Sequence, residues 1–183
     1  MPASTVPDRV AWAVEQLDLR PQDRVLEIGG GPGAAAELVC RRLEQGFLLG
    51  VDRSAVAVAR STQRNRAHLD SGRLDLRVGA LNDLDVPDES FDVAFCVDVN
   101  LYWTGAAQPE LDRLHRALRP GGRLHIFYGP TPRDPSDALA AVRRHLEASP
   151  FGCAEVRRTD RGSEIRATTR PEPRRANRGS WRQ

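Results

Sequence analysis

The sequence contains no lysine, few aromatic residues and no long apolar run. All 27 basic side chains are arginine, which we attribute to a GC-rich genome and not to a function. No apolar stretch approaches the roughly 20 residues that a membrane-spanning helix needs. Residues 1–9 also lack the basic segment and continuous apolar stretch of a signal peptide. We therefore predict a cytoplasmic protein with no membrane partner.

Cysteine is scarce, and its spacing excludes two further classes of protein. Cys40, Cys96 and Cys153 lie more than fifty residues apart, which is not a metal-ligand spacing. Three cysteines also cannot all pair within one chain, which argues against a disulfide framework. We predict reduced, buried thiols and no metal site.

The remaining composition is that of one globular domain with an unevenly charged end. The 183 residues are 40% hydrophobic and 28% charged, which suits one core and is too little for two ordinary ones. From Arg157 to the end, nine arginines face three acids, whereas the preceding residues carry a net charge of −4. Residues 170–183 are rich in Pro, Arg, Gly and Asn and have no periodic apolar face. We predict a domain over residues 1–169 and a basic, disordered tail over residues 170–183.

Apolar runs alternate with segments of helical period along the chain, which indicates βαβ units. A hairpin signal, Asp160-Arg161-Gly162, follows near the end. We therefore predict an α/β fold with a doubly wound, mostly parallel sheet and a C-terminal antiparallel hairpin. The predicted strands are residues 24–28, 47–51, 74–78, 91–97, 123–128, 154–158 and 164–168, and the predicted helices are residues 8–19, 34–45, 54–69, 109–118 and 137–148.

The most specific motif is a glycine loop, Glu27-Ile28-Gly29-Gly30-Gly31-Pro32-Gly33, between a predicted strand and a predicted helix. Glycine permits both the sharp turn and the close approach of a ligand at such a place. A second acid, Asp52, closes the next strand, where a carboxylate can accept hydrogen bonds from both ribose hydroxyls of an adenosine. The alternative for Asp52 is a helix cap or a solvated turn residue.

The glycine loop alone also fits a second class of enzyme. Gly31, Gly33 and Ala36 satisfy the G-x-G-x-x-A variant of the dinucleotide fingerprint. An NAD(P)-dependent oxidoreductase is therefore an alternative function.

Four sequence blocks follow one another along the predicted fold: residues 25–33, 50–52, 87–93 and 118–124. In this order and spacing they resemble the motifs of class I S-adenosylmethionine-dependent methyltransferases, over residues 24–128 and by extension to residue 168. A plain nicotinamide domain is not expected to carry the Leu-Arg-Pro-Gly-Gly turn at residues 118–122. The resemblance implies a Rossmann-like, seven-stranded sheet, methyltransferase activity and S-adenosyl-L-methionine as the cofactor.

The resemblance also implies roles for single residues. The glycines approach the methionine end of the cofactor, Glu27 orders their loop, Asp52 holds the ribose and Arg53 covers the adenine face. An exposed residue at a helix start is the alternative for Arg53. The predicted cofactor-binding set is Glu27, Gly29, Gly30, Gly31, Gly33, Asp52, Arg53, Ala80, Leu81, Cys96 and Val97.

The chain departs from the family pattern after the third strand. Many relatives carry Gly-Asp-Ala there, with the Asp side chain on the adenine amino group, whereas this chain has Gly79-Ala80-Leu81. Adenine must then rely on backbone groups near Ala80 and Leu81. We expect cofactor binding to be weakened but not abolished.

The end of the fourth strand is unusually polar and is predicted to face the methyl acceptor. Asp98, Asn100 and Tyr102 form this substrate-side edge. Asp98 can contact the cofactor, accept a proton from the substrate or cap the next helix. The Asn/Asp-Pro-Pro-Tyr motif of amino-methylating relatives is absent, and all four histidines are assigned structural roles, so no catalytic base is identified.

The predicted acceptor is a small molecule. Little of the chain is left over to build a large covering structure, and three explanations compete: a small acceptor beneath the N-terminal helix, a partner chain that completes the pocket, or a bulky acceptor on an open face. A homodimer is a further prediction, since a partner chain can complete the pocket. A nucleic-acid or protein methyltransferase, or a cofactor-binding module using the basic tail, is the lower-ranked alternative. Interleaved aromatic residues in the tail are limited to Trp181, and the main body is acidic.

Overall fold

A computed structural model describes residues 5–83, 85–99, 108–131 and 134–170. Asn100, Tyr102 and all of the predicted tail except its first residue lie outside the described residues. The described helices are α1 Asp8–Gln16, α2 Ala34–Cys40, α3 Ala55–Arg64, α4 Arg66–Asp70, α5 Gln108–Ala117 and α6 Ser136–Glu147, and the strands are β1 Arg24–Ile28, β2 Phe47–Asp52, β3 Leu74–Val78, β4 Phe91–Val97, β5 Leu118–Tyr128, β6 Glu155–Thr159 and β7 Gly162–Thr168.

The strands of the described residues form one seven-stranded sheet in the order β3-β2-β1-β4-β5-β7-β6. The first five strands are parallel, and β7 runs antiparallel to both β5 and β6. The predicted doubly wound sheet with a terminal hairpin is confirmed. The chain order reverses between β1 and β4, and open α/β sheets bind ligands at the carboxyl ends of strands beside such a reversal.

Two apolar clusters cover the two faces of the sheet. Val25, Phe95 and Phe127 pack beneath α1 and α2, while Leu26 and Ile126 pack beneath α5 and α6. Successive residues of a central strand therefore enter opposite clusters, as Ala94 and Phe95 do on β4. Burial on both faces explains why the central strands are largely apolar.

The single helix predicted over residues 54–69 is wrong: the structure divides it into α3 and α4 at Asn65. The Asn65 side chain is only 1% exposed. Its Nδ2 donates to the carbonyl oxygens of Gly33, at 3.0 Å, and Ser61, at 3.1 Å. These bonds attach the end of α3 to the glycine loop, and the periodicity of the sequence does not reveal them.

Strand β5 begins at Leu118, five residues before its predicted start. Leu118 pairs with Phe91, and the next pair joins Arg123 to Val93, so the residues between form a bulge. The Pro-Gly-Gly segment lies within this bulge, where Gly121 has a φ of +79°. The predicted turn therefore exists, but it lies within the strand.

Three smaller predictions meet the structure in different ways. Cys40 and Cys96 are buried as predicted, but the prediction of a buried thiol is wrong for Cys153, which is exposed in the connection after α6. α2 ends at Cys40 and not at residue 45, because residues 41–45 form a turn in which Leu43 stays buried. None of the described helices is long and apolar enough to cross a membrane.

Candidate functional site

The glycine loop connects the end of β1 to the start of α2, with three of its residues in left-handed backbone conformations. Gly29, Gly31 and Gly33 have φ values of +69°, +52° and +80°. The N–H of Gly29 donates to the carbonyl oxygen of Val51 at 2.7 Å, which ties the loop to the end of β2. The loop therefore lies at the predicted ligand-binding edge of the sheet.

Gly31 and Gly33 face different surroundings. A Cβ atom at Gly31 would meet nothing within 4 Å. A Cβ atom at Gly33 would overlap the side chains of Ser61, on α3, and Asn65, which follows α3 directly. Gly31 therefore faces open space that a ligand can enter, whereas Gly33 lets two elements pack closely.

Asp52 joins the glycine loop to the turn that precedes α3. Its Oδ2 accepts a hydrogen bond from the Gly31 N–H, and its Oδ1 accepts one from the Ser54 N–H, both at 2.8 Å. The cap of α3 is Ser54, because its Oγ accepts a hydrogen bond from the Ala57 N–H at 3.2 Å. Asp52 thus organises a turn next to the loop, and its contact with a ribose stays a prediction.

Glu27 is a buried carboxyl group directly beneath the loop. Its side chain is 3% exposed, and its Oε2 has no hydrogen-bond partner among the described residues. Oε2 lies 3.1 Å from the position that a Cβ of Gly30 would take. Burial, and next the negative charge of Asp52, raise the pKa of Glu27 to about 8. The glycine loop therefore covers a carboxyl oxygen that has no hydrogen-bond donor among the described residues.

The predicted adenine side is formed by the ends of β2 and β3. The Gly79 N–H donates to the Asp52 carbonyl oxygen at 2.9 Å, which holds the two strand ends together. The Leu81 side chain is buried in the core, so a ligand at this position would contact the backbone of Ala80 and Leu81. The Arg53 guanidinium is exposed, and its Nη2 lies 3.6 Å from Oε1 of Glu110, a buried acid on α5.

At the end of β4, the two predicted cofactor-binding residues differ in access. Cys96 is fully buried, and burial raises the pKa of its thiol, so this sulfur stays protonated and away from solvent. Val97 is half-buried at the end of the strand. Contact between Cys96 and a cofactor is therefore restricted to its backbone.

Asp98 follows β4 and connects three elements. It adopts a left-handed conformation with φ +57°. Its Oδ1 accepts from the Gly129 N–H, after β5, at 2.8 Å. Its Oδ2 lies 2.6 Å from Nε of Arg9 on α1. Arg9 was missed in the sequence because it is 89 positions away and belongs to no motif.

A cavity of about 860 Å³ opens next to Asp98. Its walls come from α1, the segment after β5, the start of α6 and the β6–β7 turn. Arg9, Asp98, Tyr128, Pro135 and Arg161 are among the lining residues. The sequence predicted the acceptor at Asp98 and offered the N-terminal helix as one cover for it. The other walls were not predicted, because they come from distant segments of the chain.

His125 and Glu164 form a buried pair that the sequence analysis also missed. Nδ1 of His125 lies 2.8 Å from Oε1 of Glu164, and Nε2 has no partner among the described residues. Burial lowers the pKa of His125, although the bond to Glu164 opposes this shift. The imidazole ring stacks on Phe127 with 5.9 Å between the ring centroids, and Phe127 also contacts the buried Trp12 edge to face. The pair does not line the cavity, which fits the structural role predicted for His125.

Comparisons with known proteins point to one family. Residues 25–122 match the model of a family described as a methyltransferase domain. A ubiquinone/menaquinone biosynthesis C-methyltransferase from Geotalea daltonii is 28% identical over 123 residues, which cover 67% of this chain and 52% of that protein. A trans-aconitate 2-methyltransferase from Delftia acidovorans is 29% identical over 146 residues, covering 80% and 52%. This chain thus spans about half the length of these relatives.

A solved structure gives the same result for the fold. A SAM dependent methyltransferase from Aquifex aeolicus superposes with a TM-score of 0.70 at 17% identity. The superposition covers 87% of this chain and 88% of that one. At this identity the likeness concerns the fold alone, and it agrees with the sheet order described above.

Proposed function

Because the chain belongs to the class I S-adenosylmethionine-dependent methyltransferase family, whose cofactor is S-adenosyl-L-methionine, we propose that it methylates a small-molecule acceptor. The observation that carries the choice of acceptor is the cavity beside Asp98. Its volume of about 860 Å³ lies within the range of small-molecule pockets, roughly 300–1,000 Å³.

The residues around the glycine loop fit the cofactor. Gly31 leaves open space above the loop. Asp52 contacts Gly31 directly and is the residue that would accept hydrogen bonds from the ribose hydroxyls. The unpartnered Oε2 of Glu27 suits a ligand that carries an ammonium group. When bound, the cofactor supplies a methyl group on a sulfonium, which an acceptor takes by in-line displacement.

On the acceptor side, the chain's own residues hold and orient the acceptor. The N–H of Gly129 and the guanidinium of Arg9 fix the two oxygens of Asp98 at the cavity wall. A carboxylate held in this way can accept a hydrogen bond, or a proton, from an acceptor hydroxyl or amine. Positioning supplies much of the acceleration in such a transfer, so no dedicated base is required elsewhere.

The printed names of the two curated relatives support a small acceptor. One is named for ubiquinone and menaquinone biosynthesis, the other for trans-aconitate. The basic tail, on which the nucleic-acid alternative depended, lies outside the described residues apart from Arg170. The cytoplasmic location and the homodimer stay predictions from the sequence.

Replacing Asp98 by asparagine should lower turnover at least tenfold, about 1.4 kcal/mol, with little change in cofactor affinity. Asparagine keeps an oxygen for the Gly129 N–H but loses the ion pair with Arg9 and the ability to take a proton. Losing an interaction made only in the transition state lowers turnover and spares binding. The measurement is product formation from S-adenosylmethionine with a panel of quinols, polycarboxylic acids and amines, analysed by mass spectrometry.

Asp88→Asn is the matched control, since Asp88 is an exposed acid that pairs with Arg113 and does not line the cavity. It should keep the parental turnover. If Asp98→Asn also keeps full turnover on the acceptor found, the acceptor site lies elsewhere. Exclusive methylation of nucleic acid or protein would contradict the proposed acceptor class.

A further inference from the structure

Glu27 lies in the middle of the sheet, at the point where β1 meets the glycine loop. Its neighbours across the sheet are Gly50 on β2 and Phe95 on β4. Oε2 lies 3.8 Å from the position that a Cβ of Gly50 would take, and Gly30 lies above it. Two glycines thus make room for a carboxyl group whose Oε2 finds no donor among the described residues.

Within the described part of the chain, the titratable groups that face Glu27 offer it no positive charge. Asp52 approaches from the end of β2 and adds a negative charge. Cys40 from α2 and Cys96 from β4 are thiols, and burial raises the pKa of each, so neither carries a charge that could stabilise the carboxylate. A buried carboxylate without a cation or donor is costly, so the neutral acid is the form that these surroundings favour.

We propose that Glu27 is protonated in the empty protein and that binding of the cofactor at the glycine loop ionises it, releasing one proton to solvent. This inference rests on the family's cofactor and not on the identity of the acceptor. It makes cofactor affinity depend on pH through a residue that the family resemblance placed in the cofactor-binding set for ordering the loop.

The charges of the cofactor give the reason. S-adenosylmethionine and its demethylated product both carry an ammonium group, and a positive charge within about 4–6 Å favours a carboxylate over the neutral acid. The ammonium also brings N–H donors, which Oε2 lacks. Gly30 has no side chain to keep such a group away from Glu27.

The direction of the pH dependence follows from linkage. The empty protein holds the proton at a pKa raised to about 8, while the bound protein holds it less tightly. Raising the pH therefore favours binding, by up to about tenfold in affinity per pH unit below pH 8, and the gain levels off above it.

Isothermal titration with S-adenosylhomocysteine at pH 7, in phosphate and in Tris, measures the released proton directly. The released proton is taken up by the buffer, and the two buffers differ in ionisation enthalpy. The binding enthalpies measured in the two buffers should therefore differ by the difference in ionisation enthalpy multiplied by about one proton per bound ligand. Adenosine, which lacks the ammonium group, is the control ligand and should release almost none. Glu27→Gln should release none with either ligand, and its affinity should stay flat between pH 6 and pH 8.

Equal heats in both buffers for S-adenosylhomocysteine would overturn the proposal while leaving cofactor binding intact. Proton release that persists in Glu27→Gln would overturn it as well. If that variant does not fold, the comparison of the two ligands on the parent protein decides. Absence of any binding by S-adenosylhomocysteine would instead overturn the cofactor assignment, and this inference with it.

Discussion

Replacing Asp52 by alanine should weaken S-adenosylhomocysteine binding by about 10- to 150-fold, or about 1.5–3 kcal/mol. The substitution removes the predicted acceptor of both ribose hydroxyls. It also releases the N–H of Gly31, which Asp52 now holds at 2.8 Å, so the loop loses its arrangement. Because the bond from the Ser54 N–H is lost too, a lower melting temperature should accompany the weaker binding. Calorimetric titration and thermal denaturation measure the two effects separately.

Asp75→Ala is the control for Asp52→Ala, because Asp75 is a partly exposed acid on the adjacent strand that pairs with Arg77. It should leave cofactor affinity at the parental value. A variant Asp52→Ala that binds as tightly as the parent would show that Asp52 is only a turn residue. The ribose contact would then be wrong.

Replacing Gly33 by alanine should lower the free energy of unfolding by about 2–4 kcal/mol. The left-handed backbone, at φ +80°, disfavours any residue with a Cβ. The new methyl group would in addition overlap Ser61 and Asn65, whose packing fixes the junction between α2 and the end of α3. Urea denaturation of the empty protein measures this loss.

Gly72→Ala separates the two causes of that loss. Gly72 has a similar φ of +74°, but a Cβ there would meet nothing within 4 Å. Its substitution should therefore cost only the backbone strain, about 1–2 kcal/mol. Equal losses in the two variants would show that the close packing of Gly33 against α3 contributes nothing.

The core of the sheet was predictable because strands that are buried on both faces appear in the sequence as short apolar runs. β1 and β4 are largely apolar, and their predicted bounds are confirmed. The break at Asn65 was not predictable, because it depends on two carbonyl groups that only the fold brings to its side chain. The early start of β5 depends likewise on pairing with Phe91, across a bulge that periodicity does not indicate.

The same distinction separates the two halves of the candidate site. Glu27 and Asp52 stand at fixed distances from strand ends and glycines, so a local motif was enough to find them. Arg9 and the wall provided by Arg161 come from the two ends of the domain and meet Asp98 only through the fold. The buried pair of His125 and Glu164 depends on the register between β5 and β7, which the sequence does not specify.

Calorimetric titration of the purified protein with S-adenosylhomocysteine, and in parallel with NADH and NADPH, decides between the methyltransferase cofactor and the nicotinamide alternative. We expect saturable heat and a raised melting temperature with S-adenosylhomocysteine, as mass action requires of a ligand that binds the native state. We expect neither effect with the nicotinamide nucleotides. Clear binding of a nicotinamide nucleotide, with no response to S-adenosylhomocysteine or S-adenosylmethionine, would show that the cofactor assignment is wrong.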